Sequence, residues 1–159
     1  MKEFGTMRKK AGFTLTELVI VIAVLGLLTA VGVPSFLSWL PKYRLKSAAR
    51  DLYSNLQLAK MAAIKYNQKC RVNYSVNPDQ YTVSLLNKTV MLKDYGSGVK
   101  FEGPNNKKFA VDTISFNSRG TSNSGYAYLS NSGNTDYYRV GPLTSGAIKL
   151  QRWSKGSWK

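Results

Sequence analysis

Phe13 to Val33 reads FTLTELVIVIAVLGLLTAVGV, a run of 21 residues whose single charged member is Glu17. At about 1.5 Å rise per residue such a helix spans roughly 30 Å, the thickness of a bilayer hydrocarbon core. It is apolar on every side, and a chain of 159 residues has too little else to surround it. The segment is therefore expected to cross a membrane rather than to fill a core.

What flanks the run sets its orientation and its fate. The preceding residues, MKEFGTMRKKAG, are polar and basic. Arg8, Lys9 and Lys10 are held on the cytoplasmic side by the positive-inside rule, which leaves the rest of the chain outside. An ordinary secretory signal ends in small residues after its apolar stretch; here no such site follows, so the apolar segment is expected to be retained. Glu17 stands out, because a lone carboxylate at mid-membrane costs about 2.5 kcal/mol or more unless a cation offsets it.

Lys9-Lys-Ala-Gly-Phe-Thr-Leu-Thr-Glu17, then the apolar run, then Pro34, resembles the class III signal of type IV pilins and type II secretion pseudopilins. The resemblance implies that a prepilin peptidase cuts between Gly12 and Phe13 and methylates the new amino group of Phe13. It also implies that Glu17 pairs with such an amine on a neighbouring subunit during assembly. A buried carboxylate facing a buried ammonium relieves much of the desolvation that each would suffer alone.

Pro34 and Pro41 each remove a backbone donor and crowd the preceding turn, so a kink or local melting is expected there. Gly26 and Gly32 are six apart, not the four of a close-packing motif, and read as tolerated membrane-helix glycines. From Lys42 onward the pattern changes. Leu45, Ala49, Leu52, Leu56, Ala59 and Ala63 recur at steps of four and three, one apolar stripe on an amphipathic helix ending near Asn67. The other faces carry Lys42, Arg44, Lys46, Arg50, Lys60 and Lys65 against Asp51 alone. The first of these suit anionic headgroups, and a plainly solvated face is the alternative.

Beyond Asn67 short β-prone runs alternate with turn chemistry. CRVNYSV, Asn77-Pro78-Asp79 and QYTVSLL form the clearest hairpin; TVMLK, TISFN, GYAYLS, YYRVG and AIKLQRW are further strands. Ser118 to Gly125 and Asn131 to Asp136, rich in Gly, Ser and Asn, read as loops. The expected fold class is α+β: a long N-terminal helix, half transmembrane and half amphipathic, packed on one or two antiparallel sheets. The layout is a leader over 1–12, an apolar helix over 13–41, its amphipathic half over 42–67 and a strand-rich head over 68–159.

Composition then narrows function. There is no histidine, which excludes His-based triads and His metal ligands. Cys70 is the single cysteine, so no intrachain disulfide or multi-cysteine zinc site forms; at the start of a strand it is expected to be buried rather than paired between chains. The six acids of the domain, Asp51, Asp79, Asp94, Glu102, Asp112 and Asp136, are scattered, and no phosphate loop or metal-ligand spacing appears. No enzyme, cofactor, metal or small-molecule substrate is expected.

Charge points instead to an anionic neighbour. The net charge is +15, and a domain this basic meets phospholipid, nucleic acid or an acidic partner, or simply carries a solvated basic surface. After Asp136 there are no acids, while Arg139, Lys149, Arg152, Lys155 and Lys159 interleave with Trp153 and Trp158. Such interleaving suits tracking of a nucleic-acid backbone; the alternative places Trp153 in the core and the tail in solvent.

AARDLYSNLQLAKMAAIKYNQ, a hairpin, ISFNSRG with its Ser-Asn-Gly loop, and the final TSGAIKLQR look most like the GspH/FimT type of minor pilin and pseudopilin. Members often carry a disulfide in this domain, from which the single Cys70 departs. The resemblance implies a minor subunit of a type IV pilus or type II secretion pseudopilus, in the initiating or tip complex, with other pilins, the prepilin peptidase and the bacterial inner membrane as partners. The head then lies in the periplasm before the subunit joins a filament. Some FimT-like proteins bind DNA in natural transformation through a basic C-terminal region, so a DNA-binding receptor is the alternative, and a major pilin a third.

Overall fold

The apolar stripe of the amphipathic segment forms one wall of the core. In the computed structural model, which describes residues 13–159, Leu45, Ala49, Leu52, Leu56, Ala59 and Ala63 are all fully buried. They lie on α1, Leu15–Lys65. The helix ends in a Schellman motif: Asn67 takes positive φ, its N–H reaches the Ile64 carbonyl at 3.2 Å, and the Gln68 N–H reaches that of Ala63 at 3.1 Å. Asn tolerates the left-handed conformation because its short polar side chain bonds locally.

Melting at Pro34 and Pro41 is not observed, since α1 runs without a break through both. Each proline removes one N–H from the ladder, a loss that the neighbouring turns accommodate. The chain divides into two compact units, one ending at Ser38 and one spanning Trp39–Lys159. In the first, the apolar side chains from Phe13 to Leu37 that the structure describes stand exposed.

The second unit holds two four-stranded antiparallel sheets. One has the order β3-β2-β1-β4 and the other β5-β6-β7-β8. The strands are β1 (Cys70–Val76), β2 (Asp79–Val83), β3 (Lys88–Met91), β4 (Thr113–Phe116), β5 (Ala127–Ser130), β6 (Tyr137–Pro142), β7 (Ile148–Ser154) and β8 (Ser157–Trp158). In the first sheet Val72 faces Val83 and Ile114, and all three are fully buried. Ala127, Leu129 and Val140 bring the second sheet into the same core, in one cluster with Tyr74 and Phe101.

Two strands stop earlier than their sequence suggests. Ser84–Leu86 and Leu92–Tyr95 turn into single 3-10 turns; in the second, Leu92 turns in to be fully buried. Cys70 is fully buried, as its place at the start of β1 suggests. β8, which has no β-prone run of its own in the sequence, is joined to β7 through Lys155 and Gly156, both at positive φ. That pairing of left-handed residues is the two-residue hairpin turn whose twist matches the strands.

Candidate functional site

The two ends of the sequence supply two separate groups of candidate residues. At the N-terminal end, Gly12 and the basic leader lie outside the described residues. Phe13 is 85% exposed. Thr14 caps α1, its Oγ1 accepting the Glu17 N–H at 3.2 Å, in the Thr-x-x-Glu spacing of a capping box. Glu17 thus sits in the first turn, where the helix dipole favours a negative charge. Glu17 is exposed.

At the C-terminal end the five basic candidates do not form one patch. Side chains alternate across a strand, so Lys149 and Arg152, three apart on β7, project from opposite faces. Arg139 lies opposite Gln151, and Tyr138 opposite Arg152, which puts Arg139 with Lys149 and Arg152 with Tyr138.

On the Arg139 face, the guanidinium stands over the rings of Tyr126 and Trp158, 4.5 and 4.8 Å from their centroids. Its Nε donates to Gln151 at 2.9 Å. Trp158 in turn packs against Trp153 and Tyr128 at 5.0 and 5.6 Å. Trp153 is therefore a half-exposed member of a surface cluster and not a core residue. Lys149 is exposed on this face, and Lys155 is exposed on the β7–β8 turn.

On the other face Arg152 donates to Asp136 at 2.6 Å, a bond that raises the guanidinium pKa. Lys159 exchanges both backbone hydrogen bonds with Arg152. Arg152, Asp136 and Tyr138 border a groove of about 450 Å³ whose opposite wall is α1, with Lys42, Lys46 and Arg50. The sequence shows those helix cations only as a polar face; their meeting with Arg152 needs the tertiary fold. Among the described residues no three or more Cys, Asp or Glu side chains gather as a metal site would require.

The fold and these two groups of residues can be set beside known proteins. Residues 48–146 match the family described as type II transport protein GspH. The chain belongs to that family. Residues 7–33 also match the prokaryotic N-terminal methylation motif, so this GspH-family chain is type IV pilin-like at its N-terminus as well. A fimbrial protein of Pseudomonas aeruginosa is 25% identical over 108 residues, 68% of each chain. Among solved structures, the minor pseudopilin EpsH from the type 2 secretion system of Vibrio cholerae superposes with a TM-score of 0.53 at 17% identity. The match covers 72% of this chain and 99% of that one. It establishes a shared fold: the long N-terminal helix packed on antiparallel sheets.

Proposed function

We infer that the chain is a minor pilin or pseudopilin, cut after Gly12 by a prepilin peptidase and methylated on Phe13. It then joins other such subunits in a type IV pilus or type II secretion pseudopilus, in the initiating or tip complex. The observation that carries this reading is the exposure of the apolar side chains described between Phe13 and Leu37. Burying apolar surface is worth about 25 cal/mol per Å², so a segment of this kind needs a cover: the inner membrane before assembly, and neighbouring helices after it.

Within such a bundle Glu17 is the register mark. A carboxylate transferred from the first turn into apolar surroundings needs a cation, and the methylated amine of Phe13 on the next subunit supplies one. Pro34 and Pro41 are where the helix axis bends in the filament, each turn being short of one hydrogen bond. The direct test is incorporation of Glu17→Ala into filaments sheared from cells making the wild-type partners. Incorporation is expected to fall at least tenfold, while the head remains protease-resistant in membranes. Normal incorporation would remove Glu17 from the account.

A DNA-binding role is the second reading, favoured by Arg139 stacked between Tyr126 and Trp158 beside exposed Lys149 and Lys155. Aromatic faces with nearby cations take up nucleic-acid strands without sequence preference. Salt-dependent binding of single-stranded DNA, weakened by Lys149→Gln with Lys155→Gln and little changed by Arg152→Gln, is its signature.

A further inference from the structure

The groove between α1 and strands β6 and β7 combines features that the assembly role leaves unused. Lys42, Lys46 and Arg50 are spaced by four, so they form one row along α1. Arg152 faces them from β7, and the two acids of the lining are Asp51 and Asp136. Asp136 is already engaged by Arg152 at 2.6 Å and is buried, which leaves the mouth of the groove an excess of positive charge. An anion fits that charge.

Position on the helix says which anion. Trp39 and Tyr43, on the same wall, lie 5.6 Å apart, and Trp39 is 59% exposed. Trp and Tyr at the end of an apolar helix settle at the headgroup level of a bilayer. Lys42 and Lys46 then stand roughly 5 and 10 Å further along the axis by helix rise. That is within the headgroup zone or within reach of it by a long side chain.

We propose that this groove binds the phosphodiester of an anionic glycerophospholipid from the outer leaflet of the membrane that the apolar helix crosses. Lys42 and Lys46 contact the phosphate, Trp39 and Tyr43 lie along the glycerol and upper acyl region, and Arg50 draws the anion inward. Bound lipid holds the base of the head against the leaflet. Entry into a filament, which withdraws the helix from lipid, then requires the groove to release it. The proposal rests on the membrane-anchored reading, and cleavage after Gly12 is scored on the same sample by intact mass so that the two fail separately.

The test is native mass spectrometry of the full chain released from detergent micelles supplied with equal phosphatidylglycerol and phosphatidylcholine. Three proteins are compared: wild type; Lys42→Gln/Lys46→Gln/Arg50→Gln; and Lys65→Gln/Lys69→Gln/Arg71→Gln, which loses the same charge at the far end of α1, in the turn that follows and in β1. Wild type and the far-end variant should retain phosphatidylglycerol preferentially. The groove variant should lose that preference by about tenfold or more, since juxtamembrane cations supply the attraction to an anionic headgroup. Equal loss in both variants would reduce the effect to bulk charge and overturn the proposal. Displacement of the lipid by equimolar inorganic phosphate would make this a free-phosphate site and overturn the lipid assignment. A groove variant that keeps its lipid preference but fails to enter filaments would assign the groove to a neighbouring subunit instead.

Discussion

Asn55, on the buried side of α1, donates its Nδ2 hydrogen to the Tyr81 hydroxyl of β2 at 2.6 Å. Its Oδ1 accepts from Lys88 Nζ at 2.9 Å. A polar pair in an otherwise apolar wall favours one register of helix on sheet, because sliding either element breaks the bond between them. Tyr81→Phe strands the Asn55 donor and should cost about 1–3 kcal/mol, read as a lower urea midpoint of the detergent-solubilised chain at neutral pH.

The same tyrosine gives an alkaline signature. Burial pushes the Tyr81 hydroxyl up from 10.0 to about 12. A group whose folded pKa is raised contributes stability that is complete below its unfolded value and is lost as pH climbs to the folded one. Stability should therefore fall between pH 10 and 12, and Tyr81→Phe should flatten part of that fall.

Asp79 behaves in the same sense at acid pH. Burial raises its pKa above 3.8, against the opposing effects of the Phe101 N–H and of Lys108 and Lys100. Its contribution is thus complete below 3.8 and is lost as pH rises through the folded value. Asp79→Asn keeps an acceptor for the Phe101 N–H, now at 3.3 Å, and removes the charge. The variant should melt higher than wild type at neutral pH, with the difference closing at pH 3, a comparison that two thermal scans make.

Backbone contact at Gly141 allows a sharper change. A Cβ there would stand 1.8 Å from the Gly125 carbonyl oxygen, a distance no rotamer relieves. Gly141→Ala should separate β6 from the 125–126 segment and leave the head protease-sensitive, whereas Gly156→Ala, with open space around it, should cost only the strain of its left-handed turn, about 1 kcal/mol. Limited proteolysis distinguishes the two.

Much of this architecture is legible in the residues because local and global signals agree. The steps of four and three from Leu45 to Ala63 name the buried face of α1, and CRVNYSV coincides with β1. The ends of β2 and β3 are less visible: Leu86 and Leu92 continue an apolar pattern, but sheet width and core position decide where the backbone curls. The Lys149–Arg152 separation carries a usable signal, since an odd offset within one strand already places them on opposite faces. Register between β6 and β7, which sends Arg139 to the aromatic face and Arg152 to the groove, is a tertiary property. So is the approach of Lys42, Lys46 and Arg50 to Asp136 across some ninety residues of chain.

Intact-mass and N-terminal analysis of the protein from its native membrane tests the assembly account most directly. The account predicts a mature chain beginning at N-methylated Phe13, lighter by the twelve residues of the leader. A chain still beginning at Met1, in cells with a working prepilin peptidase, would contradict it.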